Sequence, residues 1–403
     1  MDQRPLVALV GGPDVDARIP LARELAHRFR FVAYGSEASA AERFAERGIP
    51  FRSYPLSRRV APFGDLRAIR RLAIDFRALR PDVVHAFDTK PGIYACVAAR
   101  RANVPVVAAT VTGLGSLYAR NDGATRILRA VYEGLQRIAC RSADFTVFQN
   151  GDDERRLLAA RIAQHGKTAV VPGSGVDTRA FDPSNALAAR ARVRSSLGIA
   201  DDAVVVTMVS RVTRTKGALD FAEVARRCRH AGPRVRFLMV GPDDRDSVDR
   251  LSPGELGELQ ASVLWVGPRK DMPDVLAASD VFVLPSVCRE GIPRALLEAA
   301  SAGLPLVTTD TPGCNEACRD GENGFCAPPG DVSALAHAVT RLAADADLRL
   351  AFGAASRRLA RERFDLRVVA SQMARLWEDR LIAARGPQPA TASTSPASNI
   401  LSR

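Results

Sequence analysis

Residues 170–186 read VVPGSGVDTRAFDPSNA, a Gly-, Pro- and Asp-rich stretch with neither a helical nor a strand period, and its reading decides how the 403-residue chain is divided. On its N-terminal side, short β-branched runs alternate with amphipathic helical stretches: Leu6–Val10, Phe31–Tyr34, Val83–Phe87, Val104–Ala108 and Phe145–Phe148. On its C-terminal side the series restarts with Val204–Ser210, Val235–Val240, Val263–Val266, Val281–Pro285 and Pro305–Thr309. Such alternation predicts an α/β chain of parallel sheets wound by helices, and a chain of this length exceeds what one core organises. The expectation is two Rossmann-like, doubly wound domains, 1–174 and 175–363, facing a cleft. FDLRVVASQMARLWEDRLIAA (364–384) predicts one amphipathic helix, and the Pro/Ser/Thr-rich residues 386–403 predict a disordered tail.

Composition narrows the function classes. No run of eighteen apolar residues exists, and MDQRPLVALVGG has too short an apolar core for a signal peptide, so the chain is expected in the cytoplasm. Seven cysteines without a Cys-x-x-Cys pair, and five scattered histidines, point to buried thiols rather than a disulfide framework or a zinc site. Three Asp-x-Asp pairs, at 14/16, 244/246 and 345/347, sit in unrelated contexts, and no required metal or other cofactor is expected. The net charge of +12 is uneven: residues 1–175 hold 27 Lys+Arg against 17 Asp+Glu, whereas residues 176–403 hold 30 against 28. The first half is therefore expected to meet something anionic. With aromatics at 6% and no nucleic-acid motif, a membrane face or a phosphorylated acceptor is preferred to nucleic acid. The bland alternative is a general use of Arg, since 53 of the 57 basic residues are arginine.

In open parallel sheets a ligand sits at the carboxyl ends of the strands, so the loops after strands carry the candidates. In TMVSRVTRTKGALDF (207–221), Arg211 and Lys216 flank a loop at a helix start, where a guanidinium fork, an ammonium and free N–H groups suit a diphosphate; Gly217 would let the backbone approach. Two solvated cations are the plainer reading. In CREGIPRALLEAASAGLPLV (288–307), Glu290 and Gly291 fall in the strand-to-helix loop and Pro293 suits the first helical position. Leu296, Leu297 and Ala300 would face the core, while Ala295, Ala299 and Ala302 surround Glu298, whose carboxylate could accept from ribose hydroxyls. Plainer accounts exist here too: Glu290 near a helix start, worth ~0.3–1 kcal/mol, and an Arg294–Glu298 pair, worth ~0.2–0.5 kcal/mol. Gly11 and Gly12 after the first strand would allow close backbone approach to a donor, although VGGPD is no dinucleotide fingerprint. His85, at a strand end, faces the cleft or is a satisfied core histidine. Lys90, beside Asp88, contacts a diphosphate or is simply solvated. The loop GPRKDMP (267–273), with Arg269, is placed near a base.

Together, the Glu-x(7)-Glu spacing of EGIPRALLE, the Arg-x(4)-Lys-Gly of RVTRTKG, the linker GSGVDTRAF and the repeated strand–helix order resemble glycosyltransferase family 4, with its GT-B architecture, up to about residue 382. The resemblance implies a retaining transfer from a nucleotide-sugar, with a UDP-sugar the expected donor. It places Glu290 near the donor sugar, Glu298 on the ribose, Arg211 and Lys216 on the diphosphate, with backbone N–H groups of Ile292 and its neighbours assisting. It also implies that the terminal helix crosses back onto the first domain. HAFDTKPGIYACVAAR (85–100), TVTGLGSLY (110–118) and TTDTPGCNE (308–316) look like the branch that acts on polyprenyl-diphosphate-linked intermediates of polysaccharide or glycan assembly. Where many members carry a His after the fifth strand, TVTGLG offers Gly113 and Gly115, so no histidine is assigned there.

Peripheral contact with the inner face of the cytoplasmic membrane is expected through residues 57–81. There Arg58, Arg59, Arg67, Arg70 and Arg71 accompany Val60, Pro62 and Phe63, and each basic residue near an anionic leaflet contributes ~1 kcal/mol. The stripe Leu66, Ile69, Leu72, Ala73 and Phe76 is expected in the core. The competing functions are a nucleotide-sugar epimerase on the same fold, a dinucleotide oxidoreductase, for which the fingerprint is missing, and a non-enzymatic basic protein that binds membrane or nucleic acid.

Overall fold

In three dimensions the restart at 170–186 becomes two separate parallel sheets. The structure is a computed structural model that describes residues 2–57, 61–118, 122–228 and 235–385. The expected tail, 386–403, and the Arg58–Arg59–Val60 tip lie outside the described residues.

The first sheet contains β1 (Leu6–Val10), β2 (Arg30–Gly35), β3 (Phe51–Ser53), β4 (Val83–Phe87), β5 (Val106–Val111), β6 (Phe145–Phe148) and β7 (Thr168–Val170). They lie in the order β3-β2-β1-β4-β5-β6-β7. The second contains β8 (Val204–Val209), β9 (Val235–Val240), β10 (Leu264–Trp265), β11 (Val281–Leu284), β12 (Leu306–Thr309) and β13 (Gly324–Ala327), in the order β10-β9-β8-β11-β12-β13. Both are doubly wound, with the strand order reversing beside β1 and beside β8.

Period-2 alternation distributes each strand between two cores. Val7 and Leu9 of β1, and Val83 and Phe87 of β4, join one apolar cluster; Ala8, Val10, Val84 and Ala86 join the other. The first cluster is completed by Val369, Met373, Trp377 and Leu381 of the closing helix, Leu366–Arg385. Its partner is completed by Ala68, Leu72 and Phe76 of the Pro62–Leu79 helix and by the Thr89–Arg101 helix. Leu66, expected in the core, is exposed, and burial along the Pro62–Leu79 helix begins at Ala68.

Trp377 fixes the closing helix. Its ring meets Phe29 edge-on at 5.3 Å, and its indole N–H donates to His85 Nδ1 at 2.9 Å. Where the closing segment returns, the linker pairs with it: Val176 N donates to Phe364 O and Leu366 N to Val176 O, each at 2.9 Å, and Thr178 Oγ1 donates to Asp365 at 2.6 Å.

Candidate functional site

Loops at the carboxyl ends of both sheets meet around a cavity of about 360 Å³. The first sheet gives Thr112, Gly113 and Gly115 after β5. The second gives Arg211–Lys216 after β8, Ser247–Asp249 after β9 and Cys288–Glu290 after β11. The contact between halves is close: Gly115 N donates to Arg289 O at 2.7 Å, and a Cβ on Gly113, whose φ is +114°, would run into the backbone of Glu290 and Gly291. Only glycine fits there.

Lys216 Nζ donates to Glu290 Oε2 at 2.5 Å, and Ser286 Oγ donates to the other oxygen, Oε1, at 2.7 Å. The ammonium uses one of its three donors on this contact. Both partners are half-buried, so the pair is screened less than a surface pair. Glu290 is held from behind as well, with its N–H donating to Pro312 O at 3.1 Å. Thr309 Oγ1 donates to Ser286 O and Thr311 Oγ1 lies 3.0 Å from it, which secures the loop. Arg211, exposed at the cavity rim, pairs with Asp244.

Asn150 ties the halves together. Its Oδ1 accepts from Asp153 N at 2.8 Å and so caps the Gly151–Ala159 helix, while its Nδ2 donates to Glu290 O at 2.9 Å and Gly291 O at 3.1 Å. Beside it, Arg289 donates to the buried Asp153 carboxylate at 2.9 and 3.1 Å. Burial pushes the Asp153 carboxyl up and Arg289 opposes that shift. On the first half, Asp88 follows β4 with φ 68° and ψ 173°, a conformation at home for glycine only, and accepts from Thr112 Oγ1 at 3.2 Å. Nearby, Arg18 stacks over the Phe87 ring at 4.5 Å and donates to Ser174 Oγ at 2.9 Å, with Asp88 and Arg294 among its charged neighbours.

The helix after β11 runs Arg294–Ser301, with Pro293 as its N-cap rather than its first residue. Leu296, Leu297 and Ala300 are buried, and so is Glu298, whose carboxyl is pushed up by burial and held back by Arg294, donating to it at 2.8 Å. Ile292 is buried against Gly173 of the linker. Arg269 pairs with Asp271 at 2.9 Å ahead of the Met272–Ala277 helix.

Four expectations need correction. His85 does not face the cleft. It shares a strand face with Val83 and Phe87 and is fully buried under Trp377. Because an indole N–H can only donate, His85 Nδ1 accepts, and Nε2 carries the proton that goes to Thr110 Oγ1 at 2.8 Å. Burial, with Arg18 adding to it, pulls the imidazole down to about 3, so it is neutral at ordinary pH. Lys90 does not reach into the cavity. Its Nζ donates to Ser57 O at 2.9 Å and to Asp65 at 3.2 Å. Gly217 is required by its own φ of +79° and by the close carbonyl of Pro285, not by a ligand. Gly11 is likewise taken up by Val15, against which a Cβ would sit at 2.8 Å, while Gly12, buried beside it, has room.

Ser286, Asn150, Asp153, Arg289, Thr112 and Asp88 carry no mark in the sequence. The signal that could have found them is position, since each lies within a few residues of a strand's carboxyl end. Among the described residues, no group of three His, Cys, Asp or Glu side chains is placed to hold a metal, and no helix is long and apolar enough to cross a membrane.

Residues 203–345 match the family described as glycosyl transferases group 1, and residues 20–173 match the glycosyl transferase 4-like domain. The chain is 30% identical over 297 residues to the UDP-Gal:alpha-D-GlcNAc-diphosphoundecaprenol alpha-1,3-galactosyltransferase of Escherichia coli, covering 73% of this chain and 75% of that protein. It is 27% identical over 328 residues to the N,N'-diacetylbacillosaminyl-diphospho-undecaprenol alpha-1,3-N-acetylgalactosaminyltransferase of Campylobacter jejuni, covering 80% and 83% of the two chains. Among solved structures, Anabaena Alr3699/HepE in complex with UDP and glucose superposes with a TM-score of 0.77 at 19% identity, over 93% of this chain and 100% of that one. At that identity the likeness speaks for the fold alone.

Proposed function

Since the chain belongs to the group 1, 4-like glycosyltransferases of GT-B fold and is a hexosyltransferase-type enzyme, we propose that it moves a sugar from a UDP-sugar to a polyprenyl-diphosphate-linked saccharide with retention of anomeric configuration. The observation that carries the reading is the Lys216–Glu290 pair, which lines a cavity to which both sheets contribute and is braced by Ser286. The two relatives above act, by their names, on diphosphoundecaprenol-linked sugars, which supports a lipid-diphosphate acceptor.

In this reading the bond between the anomeric carbon and the donor's diphosphate oxygen breaks, and a bond from the acceptor hydroxyl oxygen forms on the same face of the sugar. The acceptor's proton passes to the leaving diphosphate. Lys216, with donors to spare, and Arg211 at the rim carry the negative charge that develops, so the electrostatic work needs no metal. Glu290, held by Lys216 and Ser286, positions the sugar. Glu298 accepts from the ribose, the 267–273 loop with Arg269 meets the base, and backbone N–H groups from Gly291 to Ile292 help to hold the phosphates. Gly12 remains available for backbone approach to the donor. The basic first half meets the acceptor's diphosphate and an anionic membrane, at the inner face of the cytoplasmic membrane.

Incubation with UDP-sugars, with and without a short-chain prenyl-diphosphate-linked acceptor, tests the reading. Acceptor-dependent release of UDP and an α-linked product from an α-linked donor are expected. An isomerised sugar from donor alone would instead mark an epimerase.

A further inference from the structure

Neither Glu298 nor any residue of the 267–273 loop lines the cavity of about 360 Å³ between the halves. Topology separates them from it. In the second sheet β8, β9 and β10 run to one side and β11 and β12 to the other, so right-handed crossovers put the connecting helices on opposite faces. On one face the Met272–Ala277 helix, which follows Arg269, packs against the Arg294–Ser301 helix that carries Glu298. On the other, the Ala218–Arg227 helix packs against Pro253–Ser262, and the loop leading into the latter supplies the Ser247–Asp249 wall of the cavity. The loops after β8 and β11, with Lys216 and Glu290, meet between the two regions.

The wall suits a sugar ring. Thr112, Thr213, Thr215 and Ser247 bring hydroxyls to the cavity, and no aromatic ring lines it among the described residues. Val248, at its rim, is 86% exposed. A single exposed hydrophobic is ordinary on a protein surface, but this one stands at a site and on a tied turn. Arg214 N donates to Asp249 O at 2.9 Å, Asp249 N to Ser247 Oγ at 3.2 Å, and Ser247 N to Asp244 O at 3.0 Å. A pyranose has an apolar C–H face for the valine to cover and hydroxyls for the threonines and serine around it.

We propose that the Ser247–Asp249 turn reads the terminal sugar of the acceptor, so that the second half takes part in acceptor selection. The donor's sugar is tied to its nucleotide and held at Glu290, whereas Val248, at the exposed rim, meets what enters from solvent. The inference rests on the proposed saccharide acceptor.

The test is calorimetric titration of the full-length, UDP-loaded protein with two probes, a short-chain prenyl diphosphate and the same chain carrying N-acetylglucosamine. The wild type should bind the sugar-bearing probe about tenfold or more tightly than the bare one. Val248→Asn, which adds no charge, should lose most of that preference, while its affinity for the bare probe and for UDP stays within about twofold of wild type. Val248→Ile should keep the preference. In turnover, Val248→Asn should raise the acceptor KM about tenfold and move the donor KM about twofold or less. The inference is overturned if the wild type binds the two probes equally, if Val248→Asn keeps the preference, or if UDP affinity or the donor KM changes instead. A sugar preference that depends on Val248 without any sugar transfer would sink the functional reading and leave this one standing. Transfer that is indifferent to Val248→Asn would do the reverse.

Discussion

The two halves of the molecule share an architecture and differ in what they present. The charged side chains of the cavity, Arg211, Lys216, Asp249, Arg289 and Glu290, all come from the second half, whereas the first half contributes Thr112, Gly113 and Gly115. The first half holds instead the excess of basic residues, 27 against 17, and the Gly123–Ser142 helix, whose outward face exposes Ile127, Leu128, Val131, Leu135 and Ile138. One fold thus serves two tasks, because strand-end loops and outer helix faces vary independently of the cores that hold them. The second half brings charged side chains to the cavity, and the first brings small, uncharged ones.

The contrast breaks most sharply at the lysines. Lys216→Ala should lower kcat by about 10²- to 10³-fold with the far-UV spectrum unchanged, as expected for a lost donor to a developing negative charge. Lys90→Ala, in the first half, should change kcat by about threefold or less, because Lys90 is engaged with Ser57 and Asp65. Comparable losses in the two variants would erase the division. Next in size is the hinge between halves. Asn150→Ala removes a helix cap and two bonds to the Glu290 loop, and should destabilise by about 1–2 kcal/mol in a chemical denaturation midpoint while also raising the donor KM.

Acid stability sharpens the comparison from the first half's side. In the unfolded chain the His85 imidazole takes a proton near its ordinary value of ~6.5, but in the fold only near about 3. Its contribution is therefore present above that ordinary value and is lost as pH falls towards the folded one, at about 1.4 kcal/mol per pH unit. His85→Gln should flatten the decline of the thermal midpoint across this window, and an unchanged slope would contradict the burial assigned to it. The smallest effect is expected at Asp88. Asp88→Gly should raise stability by about 1 kcal/mol, since glycine adopts that backbone freely. A lower midpoint would mean that the contact with Thr112 outweighs the strain.

The two-sheet fold was legible because buried parallel strands read as unbroken apolar runs, and the long ones did. β3, β7 and β13 leave no such signal, because strands of three or four residues, all of them at sheet edges and partly exposed, lack such runs. Lys216 and Glu290 each stood out by position, but their pairing spans 74 residues and depends on where β8 and β11 lie in the sheet. His85 was misplaced for a related reason: which face of β4 is covered depends on Trp377, 292 residues away. The apolar residues of the Gly123–Ser142 helix have the period of a core stripe, and only the packed structure shows that Tyr132 and Gln136 occupy the inside instead.

The claim that the second half chiefly holds the donor is tested most directly by calorimetric titration of UDP into three full-length proteins: wild type, Lys216→Ala, and a combined Ile127→Gln, Val131→Gln and Ile138→Gln helix variant. The account predicts that UDP affinity falls about tenfold or more in Lys216→Ala and stays at the wild-type value in the helix variant. Equal affinity in wild type and Lys216→Ala, or a loss confined to the helix variant, would contradict it.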